Sequence, residues 1–367
     1  MRCRLTIILL VLLSLPFPTG AQTPLKDKAL RIVHKLTAPS KKLDSAYVFQ
    51  RQAHWNVALT SGIMQNQVWQ TSSFNLTEDN QPFEFNAHLH EGLYKQVGLK
   101  AGYGGLVLGY SHEIGFKSAL KRKSFVLDML KPGWGLQIQY FNIQDIIDYT
   151  MKQGVEGEVD FAQLSGQTDS PGTMRFVVAD AVYAFNQAKF VLNGAYSSAK
   201  LQRRSAGSFI LTGKFNIGEV SFKPDDDFSE AANLILSTSS TQVSVGGGYS
   251  YNLVPYHRDP SAQGEKGLRN LTLNLTVAPV LTLYNKMVFN DGESALPMIG
   301  RLSPNYTTRL GVGYAFGRFG MNLSGKYDIL AYASSRPVDT GDPDIGPVST
   351  KALFSKWQVS FLFTVQL

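Results

Sequence analysis

One cysteine, Cys3, occurs in the 367 residues, and it precedes the first apolar run rather than following it. That position excludes a lipidated cysteine, and the chain beyond it has no disulfide, thiolate metal site or cysteine nucleophile. Long apolar runs are lacking too. After Leu15 nothing approaches the roughly 18 continuous apolar residues that a membrane helix needs. Phosphate-binding context is missing as well. Gly102-Tyr103-Gly104-Gly105 and Gly246-Gly247-Gly248 do not link a strand to a helix, so these glycines read as relief for curvature in strands. Charged residues form only 17% of the chain, with a net charge of +7. Mean hydropathy near zero suits a soluble protein, and equally a barrel with a polar lumen.

What is present begins with Arg2 and Arg4, then an apolar stretch from Leu5 to Leu15 that is too short to span a bilayer. Pro16 and Pro18 break it, and Thr19-Gly20-Ala21 offers small residues for cleavage. The pattern predicts a signal peptide over 1–21, cut after Ala21, which lowers the net charge to +5 by removing two arginines. Residues 22–53 form a periplasmic lead-in. There Leu25, Ala29, Ile32, Val33 and Leu36 fall at helical spacing among basic residues, which suits a short amphipathic helix.

From 54 to 367 the period changes to two. The last stretch is the clearest: Trp357, Val359, Phe361, Phe363, Val365 and Leu367 alternate with Gln358, Ser360, Leu362, Thr364 and Gln366. Side chains alternate across a strand, so one face is apolar and the other mostly polar, as a transmembrane β-strand requires. Similar alternation recurs at His54–Ile63, Phe83–His90, Leu106–Tyr110, Trp134–Tyr140, Phe209–Ile217, Val243–Tyr251, Leu271–Leu281, Leu310–Phe316 and Phe319–Ile329. Met174–Phe185 and Phe190–Tyr196 read as a tight strand pair across Asn186-Gln187-Ala188. About twelve segments are clear and up to sixteen count with weaker ones. An all-β fold is expected: a transmembrane antiparallel β-barrel of about 12–14 strands (range 10–16). Gly317-Arg318 reads as a short periplasmic turn, and 218–240, 282–306 and 331–354 as long outer loops. The stretch 252–267 is long on the supposedly short side.

Several phrases carry a resemblance. They are Val182-Tyr-Ala-Phe-Asn-Gln-Ala-Lys-Phe190, the block Arg203-Arg204-Ser205-Ala206-Gly207-Ser208, Gly246-Gly-Gly-Tyr-Ser-Tyr-Asn-Leu-Val-Pro255 and Arg309-Leu-Gly-Val-Gly-Tyr314. With Asp44-Ser45-Ala46-Tyr47 and Trp55, they resemble a Bacteroidetes family of uncharacterised secreted proteins, a domain of unknown function regarded as outer-membrane barrels. The resemblance implies a fold and an address, the bacterial outer membrane, but no chemistry. Ending on Leu367 departs from the aromatic that closes many barrels.

Candidate sites are few. Glu84, Asn86, His88 and His90 share one strand face, about 7 Å apart. They read as polar lumen lining, the sharper alternative being a metal or acid–base site. Lys117, Lys121, Arg122 and Lys123 form the sharpest basic cluster. It suits lipopolysaccharide phosphates or anion steering, or plain solvated loop charge. Asp339, Asp342 and Asp344 could ligate Ca²⁺ or be an ordinary loop. No cofactor, metal site, catalytic set or nucleic-acid partner is expected. The expected partners are outer-membrane lipid, lipopolysaccharide and the barrel-assembly machinery. The preferred role is non-enzymatic, solute passage or an envelope component. The alternatives are a barrel enzyme acting on lipid or lipopolysaccharide and a soluble periplasmic all-β binding protein.

Overall fold

The structure is a computed structural model. It describes residues 43–367 except 52–54, 76–81, 91–92, 104, 115–120, 131–132, 146–147, 156–161, 168–171, 196–199, 222–236, 260–266, 291–294, 300–301, 335 and 338–345. The proposed leader, the helical part of the lead-in, Lys117 and the three loop aspartates Asp339, Asp342 and Asp344 lie outside the described residues.

Eighteen strands follow in order among the described residues. They are β1 (Val48–Gln50), β2 (Trp55–Asn75), β3 (Pro82–His90), β4 (Tyr94–Tyr103), β5 (Leu106–Glu113) and β6 (Lys121–Leu130). Next come β7 (Trp134–Asp145), β8 (Asp148–Val155), β9 (Ala162–Gln167), β10 (Gly172–Ala184), β11 (Lys200–Gln202) and β12 (Ala206–Ser221). The last are β13 (Ser237–Arg258), β14 (Arg269–Asn290), β15 (Ala295–Ile299), β16 (Ser303–Phe316), β17 (Phe319–Ala333) and β18 (Ser349–Gln366). No helix occurs among the described residues.

Twelve of these strands close an antiparallel ring: β2, β4, β5, β6, β7, β10, β12, β13, β14, β16, β17 and β18. The closing seam pairs β18 with β2 from Ser349↔Ser73 to Gln366↔Asn56. Full closure removes both sheet edges, which an open sheet would leave unpaired. The short connections, such as Gly317-Arg318 at a positive φ of 52°, gather at one end of the ring, hereafter the turn end. The opposite, loop end carries an extension in which β3, β8 and β9 continue beside β2, while β15 lies against β14.

Three expectations shift. The described part of the expected Phe190–Tyr196 strand, residues 190–195, is not paired with β10, because β10 pairs with β12 and β7 instead. Its apolar residues Phe190, Val191, Leu192 and Ala195 are all buried, a pattern no one-sided strand can satisfy. The expected long loops at 218–240, 282–306 and 331–354 are shorter, since β12 to β18 run into them. Strand ends outside an apolar band are wet on both faces and lose the alternation that marks them. The overlong stretch 252–267 resolves in the same way: β13 continues to Arg258 and β14 starts at Arg269.

Outside the ring the surface is apolar. Leu59, Leu99, Phe125, Phe209, Leu310, Leu323 and Phe361 are exposed, with Phe209 at 71%. Aromatic pairs ring the turn end: Trp55–Tyr103 at 5.4 Å, Phe209–Tyr249 at 5.3 Å and Phe316–Phe319 at 5.4 Å between centroids. Tyr284, Tyr306 and Tyr327 stand exposed nearer the loop end. Along β18, outward residues run from Leu353 to Val365, about 40 Å of strand at ~3.4 Å per residue, or about 30 Å along the axis at a typical tilt.

Candidate functional site: a filled lumen

The inward faces build the site in three layers. At the turn end, the connection between β10 and β12 turns into the ring. Phe190, fully buried, packs with Ala184, Leu192, Ile210 and Ala278. Gln202, also fully buried, holds the segment. Its amide oxygen accepts from Val191 N (2.9 Å) and Asn252 Nδ2 (3.2 Å), and its amide nitrogen donates to the carbonyls of Lys189 (2.6 Å) and Arg204 (2.9 Å). Asn252 Nδ2 donates to Val191 O at 2.8 Å, and Asn322 Nδ2 to Ala195 O at 2.9 Å. Two wall residues thereby grip the backbone of the segment. Gly313 makes room for it, since a Cβ there would lie 3.0 Å from both Ala195 Cα and Ala195 O.

The end of the lead-in seals the same region. β1 pairs with β11 from Val48↔Gln202 to Gln50↔Lys200, and buried Arg51 donates from Nη2 to Gly317 O at 2.8 Å. Arg203 locks this crossing, donating to Ser45 O and to Asp259 Oδ1, both at 2.5 Å. His257 Nε2 lies 3.0 Å from the same carboxylate oxygen. That hydrogen bond, and then the charge of Arg203, hold Asp259 below the ordinary aspartate range.

The middle layer is a charged chamber. Lys214 on β12 reaches Asp328 on β17 at 2.5 Å, and Thr307 Oγ1 donates to the same oxygen at 2.8 Å. Lys326 lies 2.9 Å from Asp328 and 2.8 Å from Asp180 of β10, while Arg309 contacts Asp180 at 3.4 Å. Lys100 lies 3.4 Å from Asp128, whose other oxygen accepts from Gln137 at 2.6 Å. Beside these groups lies a cavity of about 200 Å³, with Gln139, Asn193, Ser324 and Ser360 in its lining. Buried charges persist only when paired, and each of these groups has an opposite charge within 4 Å, although Asp180 Oδ1 has no hydrogen-bond partner among the described residues. Beyond the cavity, one step further along the same strand faces, Met64, Tyr94 and Phe141 are buried. Lys356 Nζ lies 4.2 Å from the centroid of the Phe141 ring.

The profile of a family described as "Domain of unknown function (DUF4421)" matches residues 42–343. The chain belongs to this family. No curated protein matches it. Among solved structures, the chain is similar to the beta domain of the Bordetella autotransporter BrkA, at 8% identity over 81% of this chain and 98% of that one, TM-score 0.28. It is similar to the outer membrane protease OmpT from Escherichia coli, at 8% identity over 87% and 99%, TM-score 0.30. It is also similar to the P. putida toluene transporter TodX, at 5% identity over 86% and 91%, TM-score 0.27. The closed ring stands on the register of the chain itself.

In this DUF4421 member the basic-serine block is structural. Arg203 is the lock just described. The Ser205 hydroxyl accepts from Val254 N at 2.9 Å, and the Ser208 hydroxyl accepts from Asn186 N at 2.9 Å. Gly207 O accepts from Asn186 Nδ2 at 2.9 Å, and a Cβ on Gly207 would run into the Tyr249 ring. Arg204 gives its carbonyl to Gln202, and Ala206 opens β12 opposite Asn252. The set Glu84, Asn86, His88 and His90 lies on β3, outside the twelve-strand ring, so it does not line the ring's lumen. Asn86 Nδ2 donates to Glu84 at 2.5 Å and Asn86 Oδ1 accepts from Thr71 Oγ1 at 2.6 Å, while His88 stacks on Trp69 at 4.9 Å. Lys121, Arg122 and Lys123 open β6 at the loop end, with the Lys123 side chain exposed. On β18, Val359, Phe361 and Leu367 are exposed and Trp357, Phe363 and Val365 partly so, while Ser360 faces the cavity.

The charged chamber was missed in the sequence. Its signal was there: Asp180, Lys214, Lys326 and Asp328 are charges in the middle of strands, at the parity of the polar face.

Proposed function

We propose that this protein spans the bacterial outer membrane and takes a small solute into a lumen that its own in-folded segment keeps closed at the turn end. The observation that carries this reading is the inversion of the ring: large apolar side chains outside, paired charges and carboxamides inside. An exposed apolar surface of this extent is unstable in water and matched to lipid. A soluble sandwich would bury both sides of these strands. The aromatic residues at both ends sit where interfacial girdles belong.

The role is non-enzymatic. Most charges of the lumen pair across the ring, while a few polar atoms such as Asp180 Oδ1 and Asn322 Oδ1 keep unused hydrogen-bonding capacity, which suits holding a solute. The loop end faces outward, with Lys123 and its neighbours near lipopolysaccharide, and the barrel-assembly machinery inserts the chain. The test is fractionation: the protein is expected in the outer membrane, resistant to carbonate extraction. Recovery in the soluble periplasmic fraction would contradict it.

A further inference from the structure

We infer that the chamber is a binding site for a small hydroxylated monocarboxylate. The inference deepens the reading above and rests on it for the route by which solute arrives. Four cations, Lys100, Lys214, Arg309 and Lys326, face three carboxylates, Asp128, Asp180 and Asp328. One positive charge is left over. Of the four, Arg309 alone has its carboxylate oxygen taken by a closer cation. Its one ion pair among the described residues is the 3.4 Å contact to Asp180 Oδ2, and Lys326 occupies the same oxygen at 2.8 Å. A charge-assisted bond is ordinarily about 2.7–2.9 Å, so the guanidinium is underused. It lies in the lining of the cavity with a quarter of its side chain accessible.

A planar guanidinium fork matches a planar carboxylate in two-point geometry. The lining also includes the carboxamides of Gln96, Gln139 and Gln358 and the hydroxyls of Ser111, Ser324 and Ser360. Carboxamides and hydroxyls both donate and accept, which suits hydroxyl groups on the body of the ligand. A volume of about 200 Å³ limits the ligand to one small molecule. A single surplus charge selects a monoanion, because a dianion would leave an unpaired negative charge in a buried site.

The test uses the full chain, folded in detergent micelles, with calorimetric titration of gluconate, glucose and inorganic phosphate. Gluconate is expected to bind with one site, and glucose and phosphate at least tenfold more weakly. Arg309→Gln is expected to weaken gluconate at least tenfold, with Arg309→Lys between the two. Should Arg309→Gln not fold, Lys100→Gln lowers the net charge of the chamber by the same one unit and is expected to weaken gluconate likewise. No gluconate binding, equal binding of glucose, preference for phosphate, or unchanged affinity in the folded variant would each overturn the site. These failures, in a protein still found in the outer membrane, overturn the site alone. Recovery in the soluble fraction overturns the membrane reading whatever binds.

Discussion

Lys214 Nζ lies 2.5 Å from Asp328 Oδ1, although their strands are separated in the ring by β13, β14 and β16. The contact is a strut across the lumen rather than a pairing between neighbours. Removing Asp328 leaves Lys214 buried without its ion-pair partner, at a cost of up to about 3–5 kcal/mol. Removing Lys214 costs less because Asp328 keeps Lys326 at 2.9 Å, and replacing both with apolar residues is milder than either. Lys214→Met and Asp328→Asn are each expected to lower the urea midpoint, read from loss of heat-modifiable mobility, more than the double Lys214→Met/Asp328→Leu variant does. Equal loss in singles and double would remove the strut.

The outward face of β18 gives a second expectation. Phe361 is 42% exposed on the apolar side, while Ser360 lies in the cavity lining beside surplus positive charge. A charge on a lipid face costs roughly 2–4 kcal/mol near the midplane, with Asp toward the lower end or below. Phe361→Asp is therefore expected to impair assembly in lipid vesicles, and Ser360→Asp to fold normally. Similar damage from both would point to burial on both sides of this strand.

Two glycines test how tightly the in-folded segment sits. A Cβ on Gly313 would meet the backbone of Ala195, whereas one on Gly325 meets nothing within 4 Å. Gly313→Val is expected to displace the segment and raise its protease sensitivity, since overpacking costs about 1–3 kcal/mol. Gly325→Ala is expected to leave the digestion pattern unchanged, and equal patterns in the two variants would deny the close approach.

Much of the ring was legible because one-sided burial writes itself as alternation. Trp357 to Leu367 and Phe209 to Ile217 each set large apolar residues on alternate positions, and both are strands with those positions outward. The count of twelve falls within the expected range for the same reason. The in-folded segment was not legible. Phe190, Val191 and Leu192 are three consecutive buried residues, and a short apolar run reads equally as strand or as buried turn. The ion pairs were hidden for another reason: Asp180 and Lys326 are 146 residues apart, and only closure of the ring brings them to 2.8 Å.

The central claim is that residues between β10 and β12 close the lumen at the turn end. Its most direct test is conductance in planar bilayers of the full chain and of a variant in which residues 189–199 are replaced by a short Gly-Asn turn. The wild type is expected to show small steps or none, and the variant steps at least tenfold larger. The same conductance in both, with the variant shown to be folded and inserted, would contradict the account.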